Sequence, residues 1–151
     1  MGIVMTTSMN DIDQYMDEQI ERRIKEVVEA FKTVGEKCFE EARTNKTYKN
    51  DTGNLRSSVG YAVMRDGVAV IKGGFGLTLK GEKGIETGNY ELERLMARPF
   101  LDEGVVLIVV AGMNYAAAVE AKNFNVLASA ELLCEQLVPQ LMKQLGFTTT
   151  K

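Results

Sequence analysis

The chain has 151 residues, 45% of them hydrophobic and 26% charged, a composition typical of a globular protein with a buried core. Its formal net charge of −3 argues against a dedicated nucleic-acid surface, because such surfaces cluster basic residues. The longest apolar run, residues 105–111, is too short to cross a bilayer, and the N-terminus lacks the pattern of a signal peptide. We therefore expect a single domain over residues 1–151 of the cytoplasmic type, with no membrane partner and no specific nucleic acid.

A helical period dominates residues 11–43. Apolar residues recur there every three or four positions: Ile12, Met16, Ile20, Ile24, Val27, Phe31, Val34, Cys38 and Ala42. Asn10 or Asp11 is the expected N-cap, and Gly35 is expected to bend or interrupt the helix. A helix this long exceeds the core of a small domain, which hints at oligomerisation.

A β-hairpin is predicted after the long helix. The polar loop 44–52 ends in a turn signal, and a strand is expected over residues 55–65. Asp66-Gly67 favours a type I′ turn, because both residues tolerate positive φ angles. The returning strand is expected over residues 68–72.

The second half of the chain is less regular. We interpret residues 73–104, rich in glycine, as a flexible loop excursion with a short helix near Tyr90–Ala97. The run 105–110 lacks alternation, which indicates a central strand, and the alanines after Tyr115 favour a short helical turn. A last helix is expected over residues 126–145, kinked or split at Pro139. The predicted class is α+β, with a long N-terminal helix and a C-terminal helix packed on a small, mostly antiparallel sheet.

Residues with catalytic or ligand chemistry are sparse. The chain has no histidine, and Cys38 and Cys134 are too few and too distant for a zinc site. We expect two buried free thiols, with a disulfide as the alternative. The segment Gly76–Lys83 departs from a phosphate-binding loop, since no lysine directly follows its second glycine. We therefore expect no catalytic residue, no metal and no cofactor.

Two short segments are more informative. Residues 52–59 read Thr-Gly-Asn-Leu-Arg-Ser-Ser-Val, and residues 114–120 read Asn-Tyr-Ala-Ala-Ala-Val-Glu. In order, spacing and context the pair resembles the neck, or tail-completion, family of head–tail joining proteins from lambda-like long-tailed bacteriophages. The resemblance spans about residues 9–145. It implies a non-enzymatic assembly protein that forms a homo-oligomeric ring, with a hexamer as one candidate, between phage connector and tail proteins.

The resemblance also implies a place of action and candidate contacts. Such proteins act in the host cytoplasm during assembly and then in the virion. The candidate interaction residues are those of the two motifs: Thr52, Gly53, Leu55, Arg56, Ser58, Tyr115 and Glu120. Residues 44–52 and 73–104 are candidate docking segments.

One pair of motif residues carries a mechanistic hypothesis. Arg56 and Glu120 are hypothesised to form an ion pair, within or between subunits, whereas Thr52 and Gly53 are interpreted first as turn formers. A cellular protein–protein interaction or scaffold module without phage origin is the alternative function.

Overall fold

The computed structural model describes residues 1–45, 47–49, 52–76 and 81–148, apart from the side chain of Phe100. Three strands form one antiparallel sheet in the order β2-β1-β3. The predicted α+β class, with long N- and C-terminal helices, is confirmed. The elements in chain order are α1 Met9–Thr44, α2 Asn54–Ser57, β1 Val59–Arg65, β2 Val68–Gly74, α3 Glu82–Met96, a 3-10 turn Pro99–Leu101, β3 Val105–Ala111, α4 Ala116–Glu120 and α5 Ala128–Gln144.

Helix α1 is one uninterrupted element of 36 residues. It begins earlier than predicted, so the cap is Ser8, whose Oγ accepts a hydrogen bond from the Asp11 N–H at 3.1 Å. The predicted cap at Asn10 or Asp11 is therefore wrong, and so is a break at Gly35. Gly35 is buried because it receives the ring of Tyr61, and an added Cβ would lie 2.5 Å from that ring. The glycine permits close helix–sheet packing.

The predicted β-hairpin is confirmed. Asp66 and Gly67 have φ angles of 48° and 79°, as a tight turn with two positive φ values requires. The hairpin is anchored to α1, because the Arg65 guanidinium donates to the carboxylate of Glu21 at 2.6 Å. This hydrogen bond lowers the pKa of Glu21.

Two strand predictions are wrong in detail. Residues 54–57 form a helical turn instead of the start of a strand, so β1 begins at Val59. The central strand is β1, whereas β3 lies at an edge of the sheet. The sequence of β3 lacks alternation because helices contact the sheet from both faces, α1 on one and α3 on the other.

The segment interpreted as a loop excursion contains a 15-residue helix, α3. This helix packs on the sheet through the buried side chain of Leu92, beside Ala62 and Val110. The short helix predicted near Tyr90–Ala97 is therefore only its last part. The phosphate-loop-like segment Gly76–Lys83 lies partly outside the described residues.

The main core lies between α1, the sheet and α5. Cys38 on α1 packs there with Val34, Val59 and Ala130, and Cys134 lies beside this cluster. Both cysteines are free, and Cys134 is only half-buried. Helix α5 continues through Pro139, so the predicted split into two helices is wrong. In the part of the chain that the structure describes, no helix has the length and apolarity that crossing a membrane requires.

Candidate functional site

The two motif segments meet in space. Leu55 on α2 is buried against Met113 and Ala116 at the start of α4, with Tyr48 and Val126 completing the cluster. The residues come from four separate stretches of the chain, so their contact depends on the whole fold. We call this region the motif junction: α2, α4 and the side chains of this cluster.

Local hydrogen bonds shape the first motif. Gly53 precedes α2 with a φ angle of 75°, a conformation that favours glycine. The Thr52 Oγ1 accepts a bond from the Asn54 N–H at 3.4 Å, and the buried Ser58 Oγ donates to the Leu55 carbonyl at 2.8 Å. Thr52 and Gly53 are thus turn formers, as predicted. The Ser58 side chain is therefore buried in a hydrogen bond within the fold and offers no surface to a partner.

A seam of glycines presses α3 against the motif junction. The Gly84 N–H donates to the Asn54 Oδ1 at 3.2 Å, and a Cβ on Gly84 would lie 2.0 Å from the Asn54 carbonyl oxygen. A Cβ on Gly88 would lie 2.6 Å from the Ser58 carbonyl oxygen, and one on Gly112 would lie 2.4 Å from the Gly88 Cα. Backbone therefore packs on backbone along this seam. The four-residue spacing of Gly84 and Gly88, which places both on one helix face, was the available sequence signal.

Glu120 caps the last helix. Its carboxylate oxygens accept hydrogen bonds from the backbone N–H groups of Leu127, at 2.9 Å, and Ala128, at 2.8 Å. These donors stand at the start of α5, where the free N–H groups and the helix dipole favour a negative charge. Among the described residues no ion pair joins Glu120 to Arg56. The hypothesised pair is therefore wrong within one subunit, and a pair between subunits stays a prediction.

Positive charge nevertheless gathers beside the junction. Burial raises the pKa of the Tyr48 hydroxyl, the charges of Arg56 and Arg43 oppose this rise, and Tyr115 and Glu120 add to it. Burial also lowers the pKa of Arg43, and the nearby charge of Arg56 lowers it further. The Nε atoms of both arginines are buried without an acceptor among the described residues. Arg56 thus belongs to a half-buried basic pair with Arg43 rather than to a salt bridge with Glu120.

Exposed aromatic side chains mark the outer face of the junction. Tyr115 is 39% exposed and Tyr90 on α3 is 71% exposed. They line an open groove of about 680 Å³ between α3 and the β3–α4 connection, together with Met113, Lys83 and Arg94. Tyrosine, methionine and arginine are enriched at protein interfaces. This groove is one part of the junction that is open to the surface.

The same groove contains an ion pair. Glu91 and Arg94 bind each other at 2.6 Å, and this hydrogen bond lowers the pKa of Glu91, away from the raised value of a general acid. Within residues 1–45, 47–49, 52–76 and 81–148, no three or more acidic, cysteine or histidine side chains are grouped to hold a metal ion.

No protein-family model, no curated protein and no solved structure matches the chain.

Proposed function

We propose that the chain is a non-enzymatic phage assembly protein of the neck or tail-completion type. In this role it forms a homo-oligomeric ring that joins the head connector to the tail. It acts in the host cytoplasm during assembly and then becomes part of the virion. The proposal rests on the resemblance of the two motifs.

The observation that carries the proposal is the contact between the two motif segments. Leu55 and Ala116 stand some sixty residues apart in the sequence and share one buried cluster. A long helix precedes the first motif and a helix follows the second, which is the order that the resemblance implies. This agreement between motif and fold supports a common role for the two segments.

The groove beside Tyr90 and Tyr115 is the proposed contact with a neighbouring protein. Exposed tyrosines supply a large contact area at low conformational cost, and buried tyrosines dominate the binding energy of many interfaces. Three other motif residues support the fold around this face. Leu55 and Ser58 are buried, and Glu120 holds the start of α5.

The experiment is a measurement of assembly. Light scattering over a concentration series, with negative-stain imaging, is performed on the protein alone and on the protein mixed with candidate connector or tail proteins. We expect a closed ring, and we expect Tyr115→Ala to weaken it while the variant stays folded by circular dichroism. Leu132→Ala is the matched control, because Leu132 is an exposed apolar residue on α5, away from the groove.

A different outcome would favour the alternative. If no species larger than a dimer forms, alone or with those proteins, the chain is better described as a cellular interaction or scaffold module. A ring that persists unchanged with Tyr115→Ala would retain the function but place the contact elsewhere.

A further inference from the structure

The first ten residues of α1 project from the body of the molecule. Every residue from Met9 to Glu18 is exposed, and the first buried residue of the helix is Val27. At about 1.5 Å per residue, the exposed stretch is about 15 Å long. A helix that lacks neighbours over such a length is only marginally stable in water unless something packs against it.

An apolar stripe runs along the projection. Met9 is 71% exposed, Met16 is 55% exposed and Ile20 is 53% exposed. These residues share one face of the helix with Val27, because they recur at helical spacing. The stripe therefore continues the buried face of α1 beyond the point where the protein's own core ends.

Helix α5 covers this face only as far as Arg23. The Arg23 guanidinium donates to the Leu145 carbonyl just after α5 ends, and its Cζ lies 5.3 Å from the centre of the Phe147 ring. Beside this point lies a groove of about 560 Å³. Its apolar lining includes Ile20, Ile24, Val27, Phe31, Met142 and Phe147. We call the stripe and this groove together the α1 face.

The sequence of the α1 face has the seven-residue period of a coiled coil. Residues 9, 16 and 23 form one series, and residues 13, 20 and 27 form the other. Four of these six positions are apolar. The two exceptions are Asp13 and Arg23, of opposite charge.

We propose that the α1 face binds the α1 face of a second copy of this chain, with the two helices antiparallel. One antiparallel register pairs the exceptions: it places Asp13 opposite Arg23 of the second copy, and the reverse. The same register aligns Met16 opposite Ile20, and it places Met9 over the groove that Val27 lines. A parallel pair would instead place Asp13 against Asp13 and Arg23 against Arg23. Polar residues at core positions of coiled coils fix register and orientation in this way.

The flanking charges favour the same arrangement. The segment 11–21 contains five acidic residues and no lysine or arginine: Asp11, Asp13, Asp17, Glu18 and Glu21. The basic residues Arg22, Arg23 and Lys25 follow directly. An antiparallel pair brings the acidic segment of each copy towards the basic segment of the other, which charge complementarity favours. The N-terminal end of each α1 helix then lies over the groove of its partner, beside the C-terminal end of α5.

The proposal does not rest on the proposed function, because the α1 face contains no motif residue. It also makes no claim on ring size. A two-fold pair through α1 is a different contact from the head-to-tail contact that closes a ring, so the two contacts are tested separately.

A charge swap tests the pairing. The dissociation constant of the self-association is measured by sedimentation equilibrium for the wild type, Asp13→Arg, Arg23→Asp and the double variant. We expect the wild type to form species with an even number of chains. Asp13→Arg should raise the dissociation constant at least about tenfold, because it places two positive charges, those of the introduced arginine and of Arg23, opposite each other. The double variant should associate at least about threefold more tightly than Asp13→Arg, although Arg23→Asp also removes the contacts of Arg23 with Leu145 and Phe147. Asp13 is exposed, so Asp13→Arg should leave the melting temperature unchanged at dilutions where the wild type is also monomeric.

Cross-linking tests the orientation. Met16→Cys protein and Ile20→Cys protein, each with Cys134→Ser, are mixed and oxidised. An antiparallel pair gives the mixed disulfide between the two variants, whereas a parallel pair gives disulfides within each variant. A monomeric wild type at all concentrations, an association that Asp13→Arg leaves unchanged, or a parallel cross-link would each overturn the proposal.

Discussion

The cap that Glu120 provides to α5 leads to a quantitative prediction. Replacing Glu120 by alanine removes the acceptor for two backbone N–H groups, those of Leu127 and Ala128. Loss of a helix cap typically costs about 1 kcal/mol, and loss of a negative charge at a helix start costs about 0.3–1 kcal/mol more. We expect Glu120→Ala to lower the free energy of unfolding by about 1.5 kcal/mol and the melting temperature by about 3–6 °C. Glu120→Gln should cost about half as much, because the amide oxygen still accepts a hydrogen bond.

The measurement is urea denaturation followed by circular dichroism, with the m-value held equal between variants. Glu135→Ala is the control, since Glu135 is exposed on the same helix, and it should change stability by less than about 0.5 kcal/mol. A double-mutant cycle that combines Glu120→Ala with Arg56→Ala distinguishes the cap from an ion pair. We expect a coupling energy below about 0.5 kcal/mol between positions 56 and 120. A coupling above about 1 kcal/mol in a monomeric sample would refute the assignment of Glu120 as a cap alone.

Three further predictions follow from the packing. Gly84→Ala should lower the free energy of unfolding by about 1–3 kcal/mol in chemical denaturation, although alanine favours helices, because its Cβ meets the Asn54 carbonyl. An unchanged denaturation midpoint would contradict the close packing along the glycine seam. Burial raises the pKa of the Cys38 thiol to about 12, so with a thiol reagent at pH 8 Cys38 should react at least about tenfold more slowly than half-buried Cys134. Single-cysteine variants measure both rates, and equal rates would contradict the burial. Pro139→Ala should raise the melting temperature by several degrees, since proline inside a helix costs up to about 3 kcal/mol. A melting temperature below that of the wild type would show that this proline fits its site.

Local signals account for the features that the sequence predicted well. The period of α1 and the Asp66-Gly67 turn depend on residues close in sequence, and each appears in the structure near its predicted position. The turn role of Thr52 and Gly53 has the same origin. Such features can be predicted from sequence because the residues that cause them lie within a few positions of one another.

Features set by distant contacts were missed. The glycines of α3 were interpreted as signs of a loop, yet Gly84 and Gly88 occur within a helix, because only glycine lets that helix approach Asn54 and Ser58 so closely. Tertiary packing overrides the low helix propensity of glycine here. Similarly, the apolar run of β3 indicated cover on both faces, but nothing in that run specifies which strand lies beside it.

The hypothesis for Arg56 and Glu120 failed within the subunit for a related reason. A sequence shows charged side chains, but it does not show the free backbone N–H groups that compete for a carboxylate. At the start of α5 those groups are fixed by the helix, whereas an arginine must lose side-chain freedom to reach the same carboxylate.

The geometry of α1 keeps the two proposed contact surfaces independent. The tip of α1 begins at Met9, whereas Arg43, at its other end, lies near Arg56 of the motif junction. The helix between them spans about 50 Å. Two chains that pair antiparallel through their tips would therefore leave both grooves beside Tyr115 uncovered, one at each end of the pair. It follows that Asp13→Arg should weaken pairing without affecting any partner that binds at Tyr115, and Tyr115→Ala should weaken that partner's binding without affecting pairing. A variant at one surface that alters binding at the other would show that the two ends of α1 are coupled through the body of the protein.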